Sequence, residues 1–184
     1  MNLENTLLWL CEVPSPIGEE EQLCTEVATR LGARALAAPI RRYGDSIVVP
    51  IWRGSGGPHI GLVGHLDVVR TVHDAAPRIE GDRLYGPGAA DMKSGLVLML
   101  DLAESTPIEG VDLTLVFYAR EEGPYAENEL GVVLAEDSEL RQVDFAVAVE
   151  IGPGFEERIV VGVVTVGTAD PWPPGIVGVG LGVG

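Results

Sequence analysis

Two patterns of apolar and polar positions alternate along the chain. Short apolar runs typical of buried strands occupy 46–52, 59–65, 112–119 and 143–150. Segments with helical spacing or helix-boundary residues lie around them, at 2–12, 19–32, 91–105 and 126–137. Strands that alternate with helices predict an α/β fold, with a largely parallel or mixed sheet flanked by helices.

Proline and glycine positions refine this prediction of strands and helices. Pro50 interrupts the first apolar run, and because proline cannot donate to a ladder, we expect an edge strand there. The segment 78–86 is typical of a hairpin, and the residues after 159 predict one further strand. Residues 168–184 combine Pro, Trp and repeated Gly-Val and carry no charge after Asp170. We expect this segment to be an irregular tail, the product of a truncation or a frameshift, that follows a unit spanning 1–167.

Composition narrows the class of protein. The 28 acidic residues outnumber the 12 basic ones and give a formal net charge of −16, which argues against nucleic acid because phosphate binding needs clustered Lys and Arg. Cys11 and Cys24 are the only cysteines, too few for a disulfide framework. The N-terminus lacks the positive charge of a signal peptide, and no apolar run is long enough to span a membrane. We therefore expect a cytoplasmic protein without a membrane partner.

Acidic side chains and one histidine follow the predicted strands. His65 and Asp67 end one strand, Glu121 and Glu122 follow the next, and Glu150 ends a third. Ligands bind at the carboxyl ends of strands in open α/β sheets. Crowded carboxylates repel one another unless cations lie between them. Together with Asp91, which precedes a helix, these residues predict a carboxylate-rich metal site of hydrolytic type, formed by His65, Asp67, Asp91, Glu121, Glu122 and Glu150.

The chemistry of these groups indicates individual roles. Imidazole and carboxylate oxygen are ordinary zinc ligands. In an extended backbone His65 and Asp67 lie on one side, so Asp67 can hold the far nitrogen of His65 and orient the ring. Adjacent side chains point in different directions, so one of Glu121 and Glu122 is expected to bind metal while the other acts as the general base.

Four segments carry a family resemblance. The stretches 64–69, 81–95, 116–124 and 126–131, which read GHLDVV, GDRLYGPGAADMKSG, VFYAREEGP and AENELG, resemble the co-catalytic zinc peptidases and deacylases of the aminoacylase and glutamate carboxypeptidase type. The resemblance covers about residues 1–160 and implies that 1–167 is the N-terminal part of a catalytic domain.

The resemblance also implies a ligand set for two zinc ions, which cobalt or manganese can replace. It assigns His65 and Glu150 to the first zinc, Glu122 to the second and Asp91 to a bridging position. It makes Asp67 the residue that orients His65 and Glu121 the general base, and it implies a cis peptide between Asp91 and Met92. It further implies a small-molecule N-acyl amino acid as substrate and homodimers formed through a lid domain.

Several positions depart from the family pattern. Ile151 follows Glu150 where the family usually has proline, and neither the lid nor the last histidine of the second zinc is found. His59 and His73 match no family ligand, so we expect both to be structural or solvated. The resemblance implies removal of the succinyl group from N-succinyl-LL-2,6-diaminopimelate. A deacetylase of acetylornithine, a carboxypeptidase and a non-catalytic truncated fragment stay open as alternatives.

Overall fold

A computed structural model describes residues 2–54, 56–71, 75–150 and 160–165. His73 and the segment 168–184 lie outside these residues, so the expectations for them stay predictions. Within the described ranges, no helix has the length and apolar character needed to cross a bilayer.

The predicted helices and strands are present, with small shifts at their ends. The helices are α1 (Leu3–Glu12), α2 (Glu21–Gly32), α3 (Ser94–Glu104) and α4 (Glu129–Glu136). The strands are β1 (Arg41–Tyr43), β2 (Ser46–Trp52), β3 (His59–His65), β4 (Arg78–Glu80), β5 (Arg83–Tyr85), β6 (Asp112–Tyr118), β7 (Phe145–Glu150) and β8 (Val160–Thr165). Strands β4 and β5 form the expected hairpin.

A six-stranded mixed sheet organises the described chain, in the order β1-β2-β6-β3-β7-β8. Strand β3 lies in the middle and pairs in parallel with β6 on one side and β7 on the other. The three outer pairs are antiparallel: β1 with β2, β2 with β6, and β7 with β8. The α/β fold class with a mixed sheet flanked by helices is therefore confirmed.

Strand β2 corrects one expectation, because it lies inside the sheet and not at its edge. Strand β1 is the outer strand, but it covers only the first half of β2, from Ser46 to Val48. Pro50 lies beyond that pairing, where the register against β6 also shifts. The missing N–H of Pro50 therefore interrupts no ladder, since this half of β2 has no outer strand beside it.

Both faces of the sheet are covered, which explains why its strands are apolar at successive positions. Ile47, Val49 and Phe117 belong to the large core that includes residues of α1, α2 and α3. Val48 and Val116, one residue away on the same strands, belong to a smaller core with Val133 of α4. Successive side chains of a strand point to opposite faces, so the sheet is buried between the two groups of helices.

The parallel strands bring their carboxyl ends to one edge of the sheet. His65, the last residue of β3, pairs with Tyr118 at the end of β6, and Val63 pairs with Ala148 near the end of β7. The segment that follows α1 also reaches this edge, where Ser15 accepts a hydrogen bond from the amide of Val68 at 2.9 Å. This edge carries the candidate site.

A buried carboxylate ties β1 to the end of α4. Oδ2 of Asp137 accepts hydrogen bonds from Arg41 Nε at 2.7 Å and from the Tyr43 hydroxyl at 3.1 Å. Oδ1 accepts the amides of Glu139 and Leu140 at 3.0 and 3.1 Å. Burial acts to raise the pKa of Asp137, but Arg41 and the amide of Leu140 outweigh it and hold the pKa below its ordinary value.

We expect the Asp137→Asn substitution to lower the free energy of unfolding by about 1–3 kcal/mol at neutral pH, because buried donors lose their acceptor. A carboxylate whose pKa is lower in the folded state stabilises above its unfolded pKa, and this contribution is lost as the pH falls through the folded value. The deficit of the variant should therefore shrink in acid. Urea denaturation of both proteins at neutral and acidic pH measures it, and a deficit that is the same at both pH values would contradict this account.

Candidate metal centre

His65 stands at the centre of the site and is 1% exposed. Nε2 of its ring lies 3.2 Å from Oδ1 of Asp91 and 3.9 Å from Oε2 of Glu121. Nδ1, the other ring nitrogen, lies 3.1 Å from the backbone oxygen of Asp67. The ring is therefore held from one side by the chain that follows β3, and its other nitrogen faces two carboxylates.

Asp91 reaches His65 from a tight turn, residues 89–93, that leads into α3. The turn begins after Gly88, whose φ of 72° lies in the region that favours glycine. The Asp91–Met92 peptide is cis, as the resemblance implied. Sδ of Met92 accepts a hydrogen bond from the backbone amide of His65 at 2.9 Å. Gly64 lets these side chains pack closely against β3, because a Cβ there would force Met92 and Leu96 to shift.

Asp67 is fully buried and holds the turn that carries the two glutamates. Its Oδ1 accepts the amide of Glu121 at 3.0 Å, and its Oδ2 accepts the amide of Glu122 at 2.8 Å. Oδ1 also lies 3.5 Å from Nδ1 of His65, farther than the 3.1 Å to the backbone oxygen of Asp67. Asp67 therefore contacts the His65 ring mainly through its backbone oxygen. Its carboxylate instead holds the turn of Glu121 and Glu122 in place, which the spacing of His65 and Asp67 in the sequence does not reveal.

The electrostatics of the site favour a cation. Burial acts to lower the pKa of His65, but the carboxylates of Asp67, Asp91 and Glu121 outweigh it and raise the pKa to about 10. Burial acts to raise the pKa of Asp67, but His65 and the two glutamate amides outweigh it and lower the pKa. The surrounding carboxylates therefore favour positive charge at this place, either as a proton on His65 or as a divalent metal ion that replaces this proton.

Three potential metal ligands come together. His65, Asp91 and Glu122 each offer a ligand atom, and these atoms all lie within 4.8 Å of one another. Imidazole nitrogen and carboxylate oxygen are both ordinary zinc ligands, and three protein ligands with an open position are typical of catalytic zinc. The residues present therefore fit a metal ion.

Two further residues considered in the sequence analysis, Glu150 and His59, lie on strands of the sheet. Glu150 ends β7, beside β3 in the sheet, and its pairing with Val160 is described while its side chain is not, so its role as a ligand stays a prediction. His59 begins β3, at the end of the strand opposite to His65, and its Nε2 lies 2.8 Å from the hydroxyl of Thr114. This placement agrees with the structural role expected for His59.

Comparison with known proteins identifies close relatives. A Mycobacterium tuberculosis protein provisionally named succinyl-diaminopimelate desuccinylase is 36% identical over 148 residues, which cover 80% of this chain and 42% of that protein. The succinyl-diaminopimelate desuccinylase of Corynebacterium glutamicum is 34% identical over 155 residues, covering 80% of this chain and 41% of the relative. The chain therefore spans about two fifths of the length of these relatives.

Solved structures share the fold at lower identity. An M20 family metallo-carboxypeptidase of Sulfolobus solfataricus matches with a TM-score of 0.63 at 19% identity, covering 84% of this chain and 38% of that one. A Bacillus subtilis protein described as a dinuclear metal-binding peptidase of the M20 family matches with a TM-score of 0.56 at 18% identity, covering 82% and 43%.

The family model described as peptidase family M20/M25/M40 matches residues 61–175. This match spans more than half of the 184 residues and includes His65, Asp67, Asp91 and the Glu121–Glu122 pair. The chain belongs to peptidase family M20/M25/M40.

Proposed function

We propose that the whole protein is a zinc-dependent amide hydrolase that removes the succinyl group from N-succinyl-LL-2,6-diaminopimelate. The observation that carries the proposal is the cluster of His65, Asp91 and Glu122, with the carboxylate of Glu121 beside it. This combination supplies both metal ligands and a proton acceptor, which hydrolysis of an unactivated amide needs together.

The residues that would hold metal are His65, Asp91 and Glu122 in the described cluster, with Glu150 as a further ligand. Asp91 is the proposed bridge between two zinc ions, because its carboxylate faces the ring of His65 and also lies close to Glu122. Zinc bound here supplies Lewis acidity, which polarises the scissile carbonyl and makes a water molecule easier to deprotonate. Cobalt or manganese are proposed substitutes.

Glu121 performs the proton transfer in this proposal. Its Oε2 lies 3.9 Å from Nε2 of His65, and it stands next to Glu122 on the turn that Asp67 holds by two amides. Its Oε2 accepts the proton of the attacking water and afterwards delivers it to the nitrogen of the leaving amine. The two amide contacts of Asp67 fix the backbone of the turn from which the Glu121 side chain extends.

The substrate is proposed from the named relatives, which are succinyl-diaminopimelate desuccinylases at 34–36% identity. A carboxypeptidase activity is the alternative that one solved relative favours, because the Sulfolobus solfataricus protein is a metallo-carboxypeptidase. A panel of N-succinyl-diaminopimelate, N-acetylornithine and dipeptides with a free carboxylate separates these enzymes. We also propose that the protein acts in the cytoplasm on small molecules, as a homodimer in its full length.

Zinc binding tests the proposal directly on the 184-residue chain. We expect about one tightly bound zinc, because the described cluster contains a single imidazole. His65→Ala should abolish tight binding, whereas His59→Ala should leave it unchanged, since His59 lies at the other end of β3. Metal analysis after gel filtration measures both.

Two results would overturn parts of the proposal. If the wild-type chain holds no zinc, the proposed metal site is wrong. A chain that holds zinc, while a chimera completed with the remainder of the Corynebacterium glutamicum relative hydrolyses none of the panel, favours the non-catalytic alternative.

A further inference from the structure

Lys93 is a buried cation that the proposed chemistry does not use. It is 1% exposed and is one of the largest fully buried side chains of the described residues. Its Nζ donates hydrogen bonds to the backbone oxygens of Leu10 at 2.7 Å and Val13 at 3.1 Å. No carboxylate of the described residues forms an ion pair with it. The burial of an ammonium group calls for a reason, because it is costly without strong partners.

The partners of Lys93 are the last carbonyl groups of α1. Leu10 lies in the final turn of α1, and Val13 is the residue that caps it. The last carbonyls of a helix have no partner within the helix and carry the negative end of its dipole, so a cation is favoured there. Lys93 therefore joins the end of α1 to the turn that carries Asp91.

Three consecutive side chains fasten that turn. Asp91 faces the ring of His65, Met92 accepts the amide of His65, and Lys93 grips the end of α1. The backbone of Lys93 also closes the turn, because its amide donates to the oxygen of Gly88 at 2.8 Å. The contacts of Asp91 and Met92 attach the turn to the end of β3, and the contact of Lys93 attaches the turn to the end of α1.

The same end of α1 leads into the edge of the site. Two residues after Val13, the backbone of Ser15 accepts the amide of Val68, and the amide of Ile17 donates to the oxygen of Val68 at 3.1 Å. The chain that follows His65 and the turn of Asp91 are thus both anchored to the segment around the end of α1.

We infer that Lys93 is a positioning residue, which sets the place of Asp91 relative to His65 by anchoring the Asp91 turn to the end of α1. This inference rests on the proposed metal site for its consequence, which is the affinity for zinc. The placement of the turn itself can be tested without metal.

Met92 is the probe for the metal-free chain. The protein has three methionines, and Met92 contacts His65 while Met99 lies in the core part of α3. In a chain labelled with ¹³C-methyl methionine, we expect Lys93→Leu to shift the Met92 methyl resonance more than that of Met99. Lys93→Gln, which is also shorter than lysine but retains an N–H donor, should shift it less.

Zinc affinity is the second readout. We expect Lys93→Leu to weaken zinc binding about 10-fold, the lower end of the range for residues that orient metal ligands. Lys93→Gln should lie closer to the wild type. The matched control is Arg30→Leu, which removes another long cation that holds the helices together, since Arg30 binds Glu104 of α3 and approaches Thr6 of α1 at 3.4 Å. We expect it to reduce stability without changing zinc affinity or the Met92 resonance.

The outcomes separate the inference from the proposed function. A wild-type chain that binds no zinc ends the proposed function, while the Met92 resonance still tests Lys93. If Lys93→Leu does not fold, the comparison of Lys93→Gln with Arg30→Leu decides: a Met92 shift and zinc loss confined to the Lys93 variant support the inference. A folded Lys93→Leu variant with wild-type Met92 resonance and zinc affinity overturns it, as does an equal zinc loss in Arg30→Leu; if Lys93→Leu does not fold, a Lys93→Gln variant no different from Arg30→Leu in both readouts overturns it.

Discussion

Replacing Glu121 by glutamine is expected to lower the rate of amide hydrolysis by about 100-fold or more while the bound zinc is unchanged. Glutamine has nearly the shape of glutamate but cannot accept the proton of the attacking water. The backbone N–H of residue 121 still donates to Asp67, so the turn and the neighbouring Glu122 stay in place. Only the proton transfer is removed.

The measurement uses the chimera that joins this chain to the remainder of the Corynebacterium glutamicum relative. Initial rates with N-succinyl-diaminopimelate and zinc content are compared between the parent and Glu121→Gln. The matched control is Glu127→Gln, an exposed carboxylate a few residues along the same segment, which should keep the parental rate. A variant that loses its zinc together with its rate would exchange the roles of Glu121 and Glu122.

Asp67→Asn should weaken zinc binding about 10–100-fold without unfolding the chain. The Asp67 carboxylate accepts one amide with each oxygen, so an asparagine side chain necessarily turns its NH₂ group toward one of the two donors. The amide of Glu121 or Glu122 then faces another donor, and the turn that presents Glu122 to the metal moves. Loss of the negative charge beside His65 acts in the same direction.

Zinc titration of the 184-residue chain measures this effect. Asp144→Asn is the matched control, because Asp144 accepts the amide of His59 at 2.8 Å, at the opposite end of β3. Both variants remove one negative charge, but asparagine at 144 can keep the His59 amide through its oxygen, whereas asparagine at 67 cannot accept both amides. Equal affinities in Asp67→Asn and the wild type, or equal losses in the two variants, would rule out the specific role of Asp67.

The fold was predictable where periodicity and strand placement decide it. The apolar runs of β3 and β6 could be recognised because these strands contact both hydrophobic cores, and the carboxyl-end rule then located His65, Asp67 and the glutamate pair. The position of β2 at the edge was predicted wrongly, although the half with Pro50 does lack an outer neighbour among the described residues, because the presence and length of β1 cannot be deduced from the residues of β2. Whether a strand lies at the edge or inside a sheet depends on whether another strand pairs with it, and on how far along the strand that pairing extends.

Within the site, residue types were predictable and their contacts were not. The spacing of His65 and Asp67 placed both side chains on one side, but the amides that Asp67 accepts come from a segment more than fifty residues away. The burial of Lys93 was not predicted, since a lysine near the start of a helix is ordinarily solvated. Lys93 donates to backbone oxygens at the end of α1, and every residue has a backbone oxygen, so the sequence does not indicate which ones act as partners.

The central position of β3 has a consequence for the order in which the molecule assembles. Its partners on both sides, β6 and β7, lie far downstream, so His65 is synthesised long before Tyr118 and Ala148 can flank its strand. Parallel pairings between distant segments form slowly, because the intervening loop must close before any contact rewards it. The glutamate turn is connected to the end of β6 and reaches Asp67 only after that closure. The candidate metal centre therefore cannot be complete before β6 has paired with β3, and a nascent chain that ends before Glu121 has His65 and Asp67 without the glutamate turn.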